Sequence, residues 1–188
     1  MRFSDVGDLG DSIHLWTIPL DGPAARQVQD ARLLSADEAA RAARFRFARD
    51  RRRFIAGRGA LRRILAHYLA AAPEALCFAY GAAGKPALAR PQAGRPIQFN
   101  LSHCEHLGLF ALAHDRPARL LATRWRPAEA GRWSLADIAL DPDFRAAIAI
   151  KGPLGEVRSW HLSEKPEEGS ARITPLSATH SVPFRGWC

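Results

Sequence analysis

Three short stretches of this 188-residue chain combine residue types suited to holding an anion. Arg53 lies in the run Asp50-Arg51-Arg52-Arg53-Phe54-Ile55-Ala56-Gly57-Arg58, and its neighbours at helical spacing are Gly57, Ala60 and Ile64. A helix places it on a small, apolar edge, where a guanidinium needs a partner and a phosphate suits its planar fork. Gly81-Ala82-Ala83-Gly84-Lys85-Pro86 sets one of only three lysines in a turn. The turn is too short for a Walker A loop, and Pro86 stands where a hydroxyl for magnesium is required. Asn100-Leu101-Ser102-His103 closes an alternating apolar run. Adjacent strand residues point to opposite faces, so Ser102 and His103 do not read as a nucleophile and its base, and no Gly-x-Ser-x-Gly elbow surrounds them. His103-Cys104-Glu105-His106 is too tightly spaced for a tetrahedral metal site, so no metal ligand is assigned. Ser102 and His103 read instead as hydrogen-bond donors to an anion at a strand end.

Charge sharpens this picture. The formal net charge is +8, with 27 Lys+Arg against 19 Asp+Glu, a balance that invites nucleic acid or an anionic membrane. Residues 41–63 hold ten arginines and one acid, a local +9, so the remainder of the chain sums to −1. A small-polyanion pocket fits that concentration better than a broad nucleic-acid footprint, and RNA-reading aromatic modules are absent. For most of these arginines the plain alternative is a solvated helical face whose stems cover apolar neighbours. The N-terminus shows no secretory pattern and no apolar run approaches a membrane span. Three scattered cysteines, Cys77, Cys104 and Cys188, give no disulfide framework. A reduced, cytoplasmic protein is expected, with no nucleic-acid and no membrane partner.

The elements that must position these residues are legible in part. Ile13 to Ile18 is β-branched and aromatic and ends at Pro19, which predicts a strand, and Asp21-Gly22-Pro23 predicts a turn. Ser35-Ala36-Asp37-Glu38 is a capping box that starts a helix running toward Phe45 or Phe47. Phe54, Leu61, Leu65 and Tyr68 form a helical stripe within about 50–71, stopped by Pro73. Strands are expected at 76–80, 97–101 and 107–113, with residues 102–106 as the loop joining the last two. Further strands are expected at 120–125 and, as a hairpin around Gly152-Pro153-Leu154-Gly155, at 146–151 and 157–162. Ser134 to Ile138 reads as a short helix, and residues 163–188 as a frayed tail.

Taken together, Phe45, the run Asp50 to Arg58, Gly84-Lys85-Pro86, Phe99-Asn100-Leu101-Ser102-His103 and Leu109 to Ala113 make a recognisable set. In that order and spacing the chain resembles the 4′-phosphopantetheinyl transferase superfamily, in its Sfp-like branch. The likeness runs from about Ile13 to Pro117 and loosely from Leu120 to Leu162. It implies two similar α/β halves with coenzyme A between them, magnesium on the pyrophosphate, and transfer of phosphopantetheine to a serine of an acyl or peptidyl carrier protein. By resemblance, Arg53 holds the 3′-phosphoadenosine end, and Gly84, Lys85, Pro86, Asn100, Ser102 and His103 are further coenzyme A contacts.

Two family motifs are missing. Members carry Gly-[Ile/Val]-Asp-[Ile/Val]-Glu after the Ser-His strand, and later Trp-x-x-Lys-Glu on a helix; here Asp115-Arg116-Pro117 leads directly into Ala118-Arg119-Leu120. The simplest account is an internal deletion. The expected fold is α+β: a near-complete half over 1–117, a remnant of the second half over 118–162, and the tail. Asp141-Pro142-Asp143 matches the spacing of a carboxylate pair but sits among turn residues. Without the carboxylates that magnesium needs, turnover is expected to be very weak or absent, with His103 the one candidate catalytic side chain. The alternative is a pseudoenzyme that binds coenzyme A or a carrier protein without catalysis. Loss of the second half's helices is also expected to leave a bare apolar sheet face, a liability for self-association.

Overall fold

A computed structural model of the chain describes residues 6–82, 84–89, 96–115, 118–120, 133–141 and 144–162. The architecture is α+β. In chain order the elements are β1 (Ile13–Pro19), α1 (Ala24–Leu33), α2 (Ala36–Ala43), α3 (Ala48–Leu69), a 3₁₀ turn (Pro73–Ala75), β2 (Phe78–Tyr80), β3 (Pro86–Leu88), β4 (Ile97–Cys104), β5 (Leu107–His114), β6 (Ala118–Leu120), β7 (Trp133–Asp141), β8 (Phe144–Lys151) and β9 (Val157–His161). The main sheet has the order β4-β5-β1-β9, with β1 antiparallel to β5 and parallel to β9. A β2-β3 hairpin and a three-stranded sheet of order β6-β8-β7 complete the set.

β1 and β5 read as almost continuous apolar runs because both of their faces are covered. Trp16 and Ile18 of β1, with Phe110 and Leu112 of β5, face α3, where Ala60, Leu61, Ile64 and Leu65 are buried against them. Ile13 and Leu15, with Leu109, Ala111 and Ala113, occupy the opposite face and pack on Ile138, Ile148 and Ile150 of β7 and β8. The period-2 alternation of each strand thus serves two cores at once.

Several expectations are corrected here. Ser134 to Ile138 is not a helix: β7 pairs with β8 from Trp133↔Lys151 to Asp141↔Phe144. Alternating Ser134, Ala136 and Ile138 suit a strand with one buried side as well as a helical turn, and pairing decided between them. Residues 146–151 and 157–162 do not form a hairpin, because β8 belongs to the small sheet and β9 joins β1 in the main one. The β7-β8 strands cover one face of the main sheet through Ile138, Ile148 and Ile150; the outward side chains of β7, on which the bare apolar face was expected, lie outside the described residues. Residues 102–104 continue β4, leaving Glu105 and His106 as a two-residue turn. The strand expected at 76–80 spans only Phe78–Tyr80, and β6 ends at Leu120, so 121–125 falls outside the described residues, as does the tail 163–188.

α1 had no counterpart in the periodicity. Its sequence, Ala-Ala-Arg-Gln-Val-Gln-Asp-Ala-Arg-Leu, lacks an apolar stripe, and its single buried residue is Asp30. It docks on α3 through charge and close approach: Asp30 is ion-paired with Arg63 and, at 3.5 Å, with Arg26. Gly59 of α3 leaves no room for a methyl, since a Cβ there would meet Asp30 at 2.5 Å.

Candidate functional site

α3, the β2-β3 turn and β4 surround an open groove of about 690 Å³. Each wall follows from local sequence. α3 begins at Ala48 and presents Asp50, Arg53, Phe54, Gly57 and Arg58 along one side. The hairpin turn is closed by Gly84 N–H donating to the Gly81 carbonyl at 2.8 Å, and Gly84 takes the left-handed φ of 71° that favours glycine. That turn delivers Gly84, Lys85 and Pro86 to the rim. β4 contributes Phe99, Asn100, Leu101 and His103, and Glu105 lies at its turn with φ 47°. Arg41 and Phe45, at the end of α2 and beyond it, close the remaining side. The size lies in the usual range for a small-molecule site.

Six of the seven sequence-nominated positions therefore meet in one place: Arg53, Gly84, Lys85, Pro86, Asn100 and His103. Ser102 is not among the lining residues, although Asn100, two positions earlier on the same strand, is. Sequence reasoning missed Arg41, Phe45, Phe54, Arg58 and Asp21. The Ser35-x-x-Glu38 box was the available signal for one of them, because Glu38 does more than cap a helix.

Glu38 is buried and its Oε2 accepts from the Ser35 N–H at 3.1 Å and from Arg62 Nε at 2.8 Å. Arg62, fully buried, also donates from one terminal nitrogen to the carbonyls of Pro73 and Leu76, each at 2.9 Å. Arg58 is 5 % exposed and its NH1 stands 3.8 Å from Glu38 Oε1. The solvated-face reading thus fails for Arg58 and Arg62, which are interior residues beside the groove. Burial works against the Arg58 charge, while Tyr80 and Glu38 support it.

Arg53 has a partner in the chain itself. Its Nε and NH2 donate to the two Asp21 carboxylate oxygens at 2.7 and 2.5 Å, a fork-to-carboxylate pair. The hydrogen bond from Arg53 holds the Asp21 carboxyl below its ordinary range. The Asp21-Gly22-Pro23 turn therefore supplies an anchor for the arginine as well as a bend.

Two comparisons bear on this arrangement. A family profile described as "4'-phosphopantetheinyl transferase, N-terminal" matches residues 22–114, the stretch that carries every nominated groove residue. The chain belongs to the 4′-phosphopantetheinyl transferase superfamily. It is 50 % identical over 109 residues to the 4'-phosphopantetheinyl transferase HetI of Nostoc sp. (strain PCC 7120), covering 57 % of this chain and 46 % of that protein. It is 36 % identical over 95 residues to a phosphopantetheinyl transferase of Thraustochytrium sp., covering 49 % and 33 %. The chain spans less than half the length of these curated relatives.

Magnesium is the metal that the family implies. Among the described residues no three His, Cys, Asp or Glu side chains gather in a way that could hold a metal ion. The groove's carboxylates are Asp50, which faces Arg49 at 3.7 Å, and Glu105 at the hairpin turn. Pro142 and Asp143 of the spaced pair lie outside the described residues. No helix is long and apolar enough to cross a membrane among those residues.

Proposed function

We propose that the groove is a coenzyme A site, and that this chain is a phosphopantetheinyl transferase half in which donor binding outlasts efficient turnover. One observation carries the reading. Residues nominated from three distant stretches, at Arg53, Gly84 to Pro86, and Asn100 with His103, line a single groove with four permanent cations against two carboxylates. Such a wall suits a polyanionic ligand, and aromatic Phe45 and Phe54 offer it apolar area. The reaction in view moves the 4′-phosphopantetheine group from coenzyme A to a carrier-protein serine. The serine oxygen forms a new bond to phosphorus while the pyrophosphate P–O bond breaks, and adenosine 3′,5′-bisphosphate leaves. Charge on that leaving group needs neutralisation, and the described carboxylates do not form a magnesium site. Very weak conversion follows.

Seven positions constitute the proposed contact set, Arg53, Gly84, Lys85, Pro86, Asn100, Ser102 and His103, of which Ser102 is not among the residues that line the groove. The proposal retains residues 1–117 as the coenzyme-binding half, 118–162 as a reduced second half, and a cytoplasmic location. An acyl or peptidyl carrier protein is the acceptor. Incubating an apo-carrier protein with coenzyme A and magnesium and reading the mass gain by mass spectrometry tests the reaction. The expected result is little or no conversion alongside measurable coenzyme A binding. Rapid conversion abolished by His103→Ala would overturn the weak-turnover reading. The second reading, a binder of coenzyme A or carrier protein without catalysis, is favoured by the absence of a carboxylate cluster among the described residues. It predicts binding that magnesium leaves unchanged and Arg53→Ala weakens.

A further inference from the structure

Asp21 stands outside the groove, yet it grips a residue of the groove wall. Arg53 lines the groove and Asp21 does not. Arg53 Nε and NH2 donate to the two Asp21 oxygens at 2.7 and 2.5 Å, which takes up one edge of the guanidinium on the side of the turn. A guanidinium carries five N–H donors, and this side-on grip leaves those of NH1 for the groove. The arginine side chain is 19 % exposed and the aspartate side chain 46 %. An ion pair so open to water adds little to folding. Its larger consequence is orientation, since it holds a long side chain with many rotamers in one of them.

The anchor is itself pinned on both sides. Before it, the Leu20 N–H donates to the His106 carbonyl at 2.7 Å. The Leu20 side chain is buried, and its Cδ2 lies 3.6 Å from where a Cβ would stand on Gly57, one helical turn past Arg53. After it, Gln27 Nε2 donates to the Gly22 carbonyl at 2.9 Å. The Asp21 hydrogen bond, ahead of the more distant Asp50 and Glu105, supports the Arg53 charge, and the same bond holds the Asp21 carboxyl low. The pair is therefore intact at neutral pH. We infer that Asp21 is a positioning residue of the groove: it fixes the plane of the Arg53 fork from outside, so that NH1 meets an oxyanion of the ligand without losing rotamer freedom on binding. Asp21 touches no ligand. The identity of that ligand rests on the reading of the groove as the coenzyme A site.

The test is a double-mutant cycle in which calorimetry follows coenzyme A binding to the unaltered chain, Asp21→Asn, Arg53→Gln and the double variant. Asp21→Asn is expected to weaken binding about three- to tenfold, the range for one net hydrogen bond. In the Arg53→Gln background the same change is expected to add nothing, because Asp21 acts only through the arginine. A carboxylate that merely shaped the turn would weaken binding by the same factor in both backgrounds. That result, or equal affinity of Asp21→Asn and the unaltered chain, would overturn the inference and spare the coenzyme A reading. Tighter binding by Asp21→Asn would also overturn it, by showing a competitor that the ligand displaces. No binding by the unaltered chain would overturn both. Should Asp21→Asn fail to fold, ¹⁵N NMR of the Arg53 Nε–H in the unaltered chain decides. Slow exchange with water is expected before and after coenzyme A is added, and protection lost on binding would show that the pair breaks.

Discussion

At the scale of single residues, the buried polar groups divide into those that hold the fold and those that face the ligand. Arg62 belongs to the first kind, since every contact it makes is internal. Arg62→Met removes those three donors and strands Glu38, and should destabilise the chain by about 3–5 kcal/mol in urea unfolding. His14 is the other interior case. It lies at 0 % exposure with Nδ1 2.6 Å from Tyr68 Oη, which itself accepts from Trp16 Nε1 at 3.2 Å. The Tyr68 hydroxyl and His14 Nδ1 share a hydrogen bond whose direction is set by the imidazole tautomer. Burial and the Arg158 charge lower the His14 pKa to about 4. The unfolded chain takes up that proton first, below about pH 6.5, so stability is present above that value and falls as pH drops toward 4. The loss should reach up to about 3 kcal/mol. His14→Gln, which keeps a hydrogen-bond partner for Tyr68, should flatten the difference between unfolding measured at pH 7.5 and at pH 4.5. An equal slope in both proteins would sink the assignment.

At the scale of elements, what the sequence disclosed depended on how each element is stabilised. The strand at Ile13 and the helix over Phe54, Leu61 and Leu65 were legible because apolar periodicity holds them in place. α1 was invisible to the same reasoning because it docks through Asp30, Arg63 and the bare backbone of Gly59. Gly59→Ala should consequently destabilise the chain. Overpacking on Asp30 costs about 1–3 kcal/mol and better helix propensity returns about 1, a net loss on the order of 1 kcal/mol by thermal unfolding. The end of α3 offers the opposite case. Ala70 adopts φ 47° and ψ 42°, and the Ala71 N–H returns to the Ala66 carbonyl at 3.0 Å. An alanine there carries a Cβ penalty that glycine lacks, so Ala70→Gly should stabilise by up to about 1 kcal/mol. β7 was misread as a helix, and β8 with β9 as a hairpin, because short apolar stretches carry no record of which strand they will pair with.

At the scale of the molecule, the strands read as a remnant of a second half take part in the packing. β9 extends the main sheet in parallel with β1, and Ile138, Ile148 and Ile150 cover Leu15 and Leu109. Ile148→Ala should destabilise the whole chain by about 2–4 kcal/mol and expose dye-binding apolar surface. A variant as stable as the parent would show that the small sheet is dispensable. The candidate site was legible for a related reason. Arg53, Gly84, Lys85, Pro86, Asn100 and His103 stood out by chemical type before their proximity could be known, and the fold brings them to one groove. Asp21 and Arg58 escaped notice because a turn acid and one arginine among ten carry no distinguishing local pattern.

The central claim is that this groove holds coenzyme A, and calorimetric titration of coenzyme A into the chain and its Lys85→Ala variant tests it most directly. The expected result is one site per chain with affinity reduced at least about tenfold in the variant, since a charged contact is lost. No heat of binding in the unaltered chain, or equal affinity in the two proteins, would contradict the account.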